Sequence, residues 1–283
     1  MTTVAVPAPP AREAHGLSGL AFQARIFVKR GFVHNSSYRL NFSLSIANVL
    51  VGLVAYYYLS RVVTGRDYGI YSANPAGAIV VGTTFSTFVN VALASYSGSI
   101  RSEMFLGTIE HWLLSSASLV RLVVLSTIWE FLWPLLTTAI TFTLLVIILG
   151  VHFDPNWLTV SVFFLLTVVT MSGFGLISAG IIMVSKIGDP LSTAWGAVNT
   201  LLIGAIFPTS VLPGWMGAIS NALPNYHALN GLRAGMLQHA SLSSQAHELW
   251  ITAVFMVCTV PLGAFVFRLG FERARGQGTL GQF

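Results

Sequence analysis

The sequence predicts an all-α integral membrane protein with six transmembrane helices. Two observations lead there. Of the 283 residues 54 % are hydrophobic and only 8 % charged, whereas a soluble domain carries about 25 % charged residues. The apolar residues also run continuously over span-length stretches, unlike the short alternating segments of a barrel. In lipid a helix pairs each backbone polar group within its own segment. Mean hydropathy is +0.76. The single cysteine, Cys258, lies in an apolar run, which excludes an intrachain disulfide and a cysteine-based metal cluster and reads as packing. A pI near 9.7 would suggest nucleic acid for a soluble protein. Here the basic residues flank the spans, so orientation explains them and no nucleic-acid partner is expected.

Residues 1–19 read as a flexible cytoplasmic tail without the basic start and apolar core of a signal peptide. Residues 20–39 form a basic amphipathic segment. Phe22, Ile26 and Phe27 can share one side, with Arg25, Lys29 and Arg30 as polar anchors, the pattern of a helix lying in the membrane interface. Leu40 to Ser60 carries no charge and is long enough to span, since about 20 residues cross the hydrocarbon. Tyr56, Tyr57 and Tyr58 near its end suit an aromatic belt. The second span lies within Asn74 to Ser99.

Ile100 to Ser118 then interrupts the apolar pattern with charge while keeping helical spacing. Phe105, Ile109, Trp112 and Leu113 fall on one face, and Glu103, Gly107 and Glu110 on another. A linker that merely joined two spans would not need such a helix; a docking element would. The third span, Leu122 to Leu149, contains Glu130 and Pro134. The fourth, Trp157 to Val184, is rich in small residues that allow close helix packing. From Leu191 to Leu232 there is no charge at all. Leu191 to Phe207 is read as the fifth span. Pro208, Pro213, Gly214, Gly217 and Pro224 then break the pattern, so Thr209 to Met236 is expected to form re-entrant or interfacial half-helices. Leu249 to Phe267 is the sixth span, and residues 271–283 a cytoplasmic tail.

The charge tally sets the orientation. Eleven Lys and Arg fall on the side of the termini, and only Arg61, Arg66 and Arg233 on the other. That is a positive-inside bias, with both termini in the cytoplasm, the Ile100 to Ser118 helix cytoplasmic, and the Pro/Gly segment external.

Of chemistry, little is present. The only lysines, Lys29 and Lys186, follow no glycine, so the chain has no P-loop. Its histidines show no ligand spacing, and no metal site is expected. Glu130 is the one acid inside a span, where such residues usually face a cavity or partner unless they reach the interface. Arg233 is read either as a snorkelling arginine or as an anchor for the re-entrant segment against a headgroup or Glu248.

These motifs together resemble the ABC-2-type permease family, the membrane subunits of type V ABC exporters. Glu103-x3-Gly107-Thr108-Ile109-Glu110 looks like the family's E-x3-G-T-apolar-E after the second span. Phe207-Pro208-x3-Leu212-Pro213, then Leu223-Pro224-x-Tyr226 and Leu232-Arg233, is similar to its re-entrant extracellular region. The six-span layout with an interfacial helix in front also fits, so the likeness covers the chain from about residue 20, with residues 40–270 as the permease domain. One departure is Ala117, where many members carry proline.

The resemblance implies that Glu103, Phe105, Gly107, Thr108, Glu110, His111 and Trp112 belong to a coupling helix. This helix would dock on a separate ATP-binding subunit, present in two copies, which would hold ATP and Mg; this chain would hold no cofactor and would not itself be an enzyme. A second permease chain, expected to be identical, would complete the transporter in a bacterial inner membrane. The pathway walls would come from the second and fifth spans, with Thr84, Phe85, Phe88 and Asn90 facing Asn199, Thr200 and Ile203; helix packing is the other reading of these residues. Pro208, Pro213, Pro224, Tyr226 and Arg233 would shape the external region. No charge is expected along the pathway, which favours an amphipathic or lipophilic substrate such as a drug, lipid or glycolipid. Aromatic residues could equally stack on sugars, as in polysaccharide exporters of the family. A stand-alone intramembrane enzyme would need a polar cluster at one depth, and only Glu130 is available. An ATP-independent channel or carrier would have no use for an acidic docking helix.

Overall fold

The computed structural model describes residues 25–26, 28–29, 31, 33, 39–63, 73–105, 119–185 and 189–276. Every α or 3-10 element among them is a helix, and no strand occurs among the described residues. Among the described residues four helical stretches are long and apolar enough to cross a membrane: Pro75–Ser102, Val123–Ile148, Trp157–Ser185 and Ala246–Gly276. The positions described within 25–33 are helical, with Arg25 and Lys29 exposed and Ile26 and Val28 half-buried. Phe22, Phe27 and Arg30 lie outside the described residues.

Helix α1 (Arg39–Val63) is 25 residues long, about 37 Å at 1.5 Å per residue. Tyr56 on it accepts a hydrogen bond from Thr83 Oγ1 at 3.2 Å, and this joins α1 to α2 (Pro75–Phe105). Asn74 caps α2 by accepting the Gly77 amide at 2.9 Å, with proline in the first helical position, where its missing N–H costs nothing. α2 runs 31 residues without a break. Ile100 to Phe105 therefore belong to the span's own helix rather than to a separate surface helix. Ile100 and Met104 are buried against Leu176, Met183 and Phe267 instead of lying on the bilayer.

The expected third span is two helices, α3 (Leu119–Ser126) and α4 (Ile128–Leu149). Ser126 and Thr127 turn their hydroxyls back onto the Val123 and Val124 carbonyls at 2.8 Å, a competition that loosens the ladder at this point. Gly150, at φ 62°, ends α4.

α5 (Trp157–Ser185) is the central helix. Its glycines face two neighbours at backbone distance: Gly175 meets the Ala92 and Leu93 carbonyls of α2, and Gly173 and Gly180 meet α9 (Ala246–Gly276). Without side chains in the way, backbones approach closely enough for dense dispersion contact, the usual basis of helix association in lipid.

The fifth expected span is shorter than the sequence suggests. α6 (Pro190–Leu202) has 13 residues, about 20 Å, against about 30 Å of hydrocarbon. It ends because Gly204 takes φ 72°, a conformation glycine adopts without steric cost. A 3-10 turn (Thr209–Val211), α7 (Gly214–Asn221) and α8 (Pro224–Leu237) follow. Pro208 and Pro213 precede the turn and α7, and Pro224 opens α8. α8 is largely buried: Gly231 lets Phe163 of α5 approach, and Gly235 lets Thr159 do so.

Candidate functional site

A groove of about 680 Å³ lies between α2 and α6. Five residues of α2 line it, Asn90, Ala94, Ser97, Gly98 and Arg101, spaced so that they fall on one stripe of the helix. From the other side come Asp189, Ser192, Thr193, Gly196, Ala197 and Leu201. The two helices run antiparallel here. Asp189, before α6, bonds Ser97 near the end of α2, while a Cβ on Gly196 would lie 3.6 Å from Asn90 Oδ1 further up.

Asp189 organises one end of the groove. As the N-cap of α6 it accepts the Ser192 amide at 3.0 Å, satisfying one of the donors that a helix start leaves open. Its two carboxylate oxygens also accept the hydroxyls of Ser178 on α5 and Ser97 on α2. One carboxylate thus ties three helices together. Burial pushes its pKa up, but the hydrogen bonds from Ser178, Ser192 and Ser97 outweigh that and hold it below the usual carboxylate range. Arg101, exposed in the last turns of α2, lines the same end. This end of the groove therefore carries charge, Arg101 and Asp189.

Of the residues expected to face a pathway, only Asn90 lines the groove. Phe85, Phe88, Asn199 and Ile203 are buried in helix packing, and Thr84 is half-buried. Phe88 meets Phe164 edge to face, ring centres 4.8 Å apart, and Asn199 accepts from Asn225 Nδ2 at 2.7 Å. Thr200 is placed by its backbone on α6. The groove residues missed by sequence reasoning had a signal: Ser97 and Arg101 continue the Asn90 stripe by two and three turns. Asp189-Pro190 with Ser192 also reads as a helix start.

At the other end of α2 stands Arg233, 3 % exposed. Its Nε donates to the Ala78 carbonyl at 3.1 Å, and its Nη2 to the Gly204 and Ala205 carbonyls at 2.8 and 2.9 Å. Neither snorkelling nor Glu248 accounts for it; backbone carbonyls hold it, two of them at the broken end of α6, where the helix dipole is negative. Glu248 instead bonds His227 Nδ1, while His227 Nε2 lies 2.8 Å from the Asn221 carbonyl. Tyr226, the next residue back, is half-buried with its ring edge-on to His227. Glu130 sits in the first turn of α4, exposed and away from the groove. Among the described residues no group of three His, Cys, Asp or Glu could hold a metal ion.

Glu103 and Phe105 are placed by their backbones in the last turn of α2. Gly107, Thr108, Glu110, His111 and Trp112 lie outside the described residues.

The family model described as the ABC-2 type transporter matches residues 23–237, from before α1 to the end of α8. The chain belongs to the ABC-2 type transporter family. A comparison with curated proteins finds no match. Members of the ABC-2 type transporter family are permease components that normally work with an ATP-binding subunit. This accords with a multi-pass chain whose long helices pack on one another through small residues.

Proposed function

We infer that this chain is the membrane-spanning subunit of an ATP-driven exporter. It moves an amphipathic or lipophilic molecule, such as a drug, lipid or glycolipid, out of the cytoplasm or the inner leaflet. The observation that carries this reading is the groove between α2 and α6, with polar groups at one end and small apolar residues along its wall. In a family whose members transport, a slot of that character suits a substrate with a polar head and an apolar body.

α1 and the segment 191–207, α6 with the residues that follow it, supply the two further crossings, giving six. Eleven of the fourteen Lys and Arg then fall on the side of both termini, which is cytoplasmic in a bacterial inner membrane. On that side α2 carries Glu103 in its last turn, and the sequence keeps helical spacing to Glu110. An ATP-binding subunit in two copies docks there and supplies ATP and Mg chemistry, since this chain has no P-loop. A second, identical permease chain completes the pathway.

Co-purification from native membranes tests the reading. A stoichiometric nucleotide-binding partner is expected, lost when Glu103 and Glu110 are both changed to Arg. A chain that purifies intact as a lone oligomer, with no ATPase, sinks it.

A further inference from the structure

The groove is not uniform along its length. From Asn90 to Arg101 the α2 stripe spans eleven residues, about 16 Å of helix. Ala94, Gly98, Gly196, Ala197 and Leu201 wall most of it. Arg101, Asp189, Ser192 and Thr193 gather at the end where α2 finishes and α6 begins. A long apolar bed with a charged end has the proportions of a single hydrocarbon chain with a head group.

The two charges at that end are not equivalent. Asp189 already accepts the Ser178 and Ser97 hydroxyls and the Ser192 amide, so most of its acceptor capacity is used within the fold. Arg101 is exposed, and among the described residues it forms no ion pair: those that occur join His227 to Glu248 and His239 to Asp154. Among the described groove residues the charge without an ion-pair partner is therefore a guanidinium, whose planar fork matches an oxyanion.

We propose that the groove binds an oxyanion-headed amphiphile, the head on Arg101 and the chain along the wall formed by Ala94, Gly98 and Ala197. This rests on reading the groove as the substrate route and adds the charge class of what enters it. Arg101 is then the residue that selects the head group.

Binding to the purified full-length chain in a neutral maltoside detergent tests this, with radiolabelled hexadecyl phosphate as the probe. Hexadecyl phosphate and hexadecanol share a chain, and only the first carries an oxyanion. The phosphate is expected to bind about tenfold tighter, one good charge-assisted contact. Arg101→Gln should remove that preference while leaving hexadecanol binding unchanged. Ala197→Phe, which fills the wall, should weaken both. Inorganic phosphate at matched concentration should not displace the probe. Equal binding of the two heads in the wild type overturns the proposal, as does a preference that survives in Arg101→Gln. Displacement by inorganic phosphate also overturns it, because the site would then take a free anion and no chain. No ATPase is needed for the measurement, so the two readings fail separately. A chain that lacks an ATPase partner yet shows the preference sinks only the exporter; one that has the partner and no preference sinks only this proposal.

Discussion

Gly263 of α9 meets Gly173 of α5 backbone to backbone: a Cβ added to Gly263 would sit 2.3 Å from the Gly173 carbonyl oxygen. Seven residues on, Gly270 meets Gly180 at the same distance. Two contacts two turns apart fix both the separation and the crossing of this pair of helices. Gly263→Ala should therefore destabilise the protein by about 1–3 kcal/mol, the usual cost of overpacking. Gly217→Ala on α7, where a Cβ meets nothing within 4 Å, should be neutral or stabilising by about 0.5–1 kcal/mol through helix propensity. Thermal unfolding in detergent reads both. Equal midpoints for the two variants would show that the α5–α9 contact is looser than described.

Arg233 and Gly82 make a second tight unit. A Cβ on Gly82 would lie 2.0 Å from the Ala205 carbonyl oxygen and 2.3 Å from Arg233 Nη2. Arg233→Met withdraws a donor from three buried carbonyls, and each one left unsatisfied costs about 1–3 kcal/mol. Gly82→Ala pushes the same groups apart from the opposite side. Because both changes break one contact, the double variant should lose clearly less stability than the two single losses combined. Strict additivity in denaturant unfolding would sink the coupling.

That unit also shows where the sequence was legible and where it was not. The long uncharged runs gave the helices α1 and α5 close to their observed limits, because length and hydropathy are local properties; α2 and α9 run on past their uncharged stretches to Phe105 and Gly276. The small residues of α5 were readable as packing for the same reason. The early end of α6 was not. Ile203-Gly204-Ala205-Ile206-Phe207 is apolar throughout and continues the pattern of a span, but the Gly204 and Ala205 carbonyls are taken by an arginine nearly thirty residues later. A tertiary donor overrides local hydropathy there. The groove was less legible: attention to uncharged positions singled out Phe85, Phe88 and Asn199, which pack, and not Arg101 or Asp189. Of the positions named for a pathway, Asn90 lines the groove.

Asp189 should give the protein an acid-sensitive contribution to stability. Its folded pKa lies below the ordinary carboxylate value, burial raising it and the hydrogen bonds of Ser178, Ser192 and Ser97 lowering it further. A carboxyl of this kind stabilises the fold above its unfolded pKa of about 3.9, and the contribution disappears as pH falls through the folded value. Asp189→Ala should cost about 1 kcal/mol at neutral pH for the lost cap alone. It should also flatten the decline of stability below about pH 4. An acid limb identical in variant and wild type would refute this.

His227 and Glu248 hold the start of α8 to the start of α9. Both ring nitrogens of His227 face oxygens, Nδ1 the Glu248 carboxyl and Nε2 the Asn221 carbonyl. His227→Ala should loosen α8 locally without unfolding the bundle. Peptides covering 224–237 should exchange amide hydrogen at least about tenfold faster while those of α5 stay protected. Unchanged exchange in 224–237 would mean that buried packing alone holds α8.

α2 is a single unbroken rod of 31 residues, about 46 Å long. One end is notched at Gly82 around Arg233, and the other carries Glu103 toward the segment expected to meet the ATPase. A stiff rod gripped at one end does not bend when pushed at the other; it pivots. Displacement applied beyond Phe105 would then swing the Asn90–Arg101 stripe through an arc about the Gly82 fulcrum. The wall of the groove would move most at Arg101 and least near the clamp, so work done by a distant motor would be felt first where the head group sits.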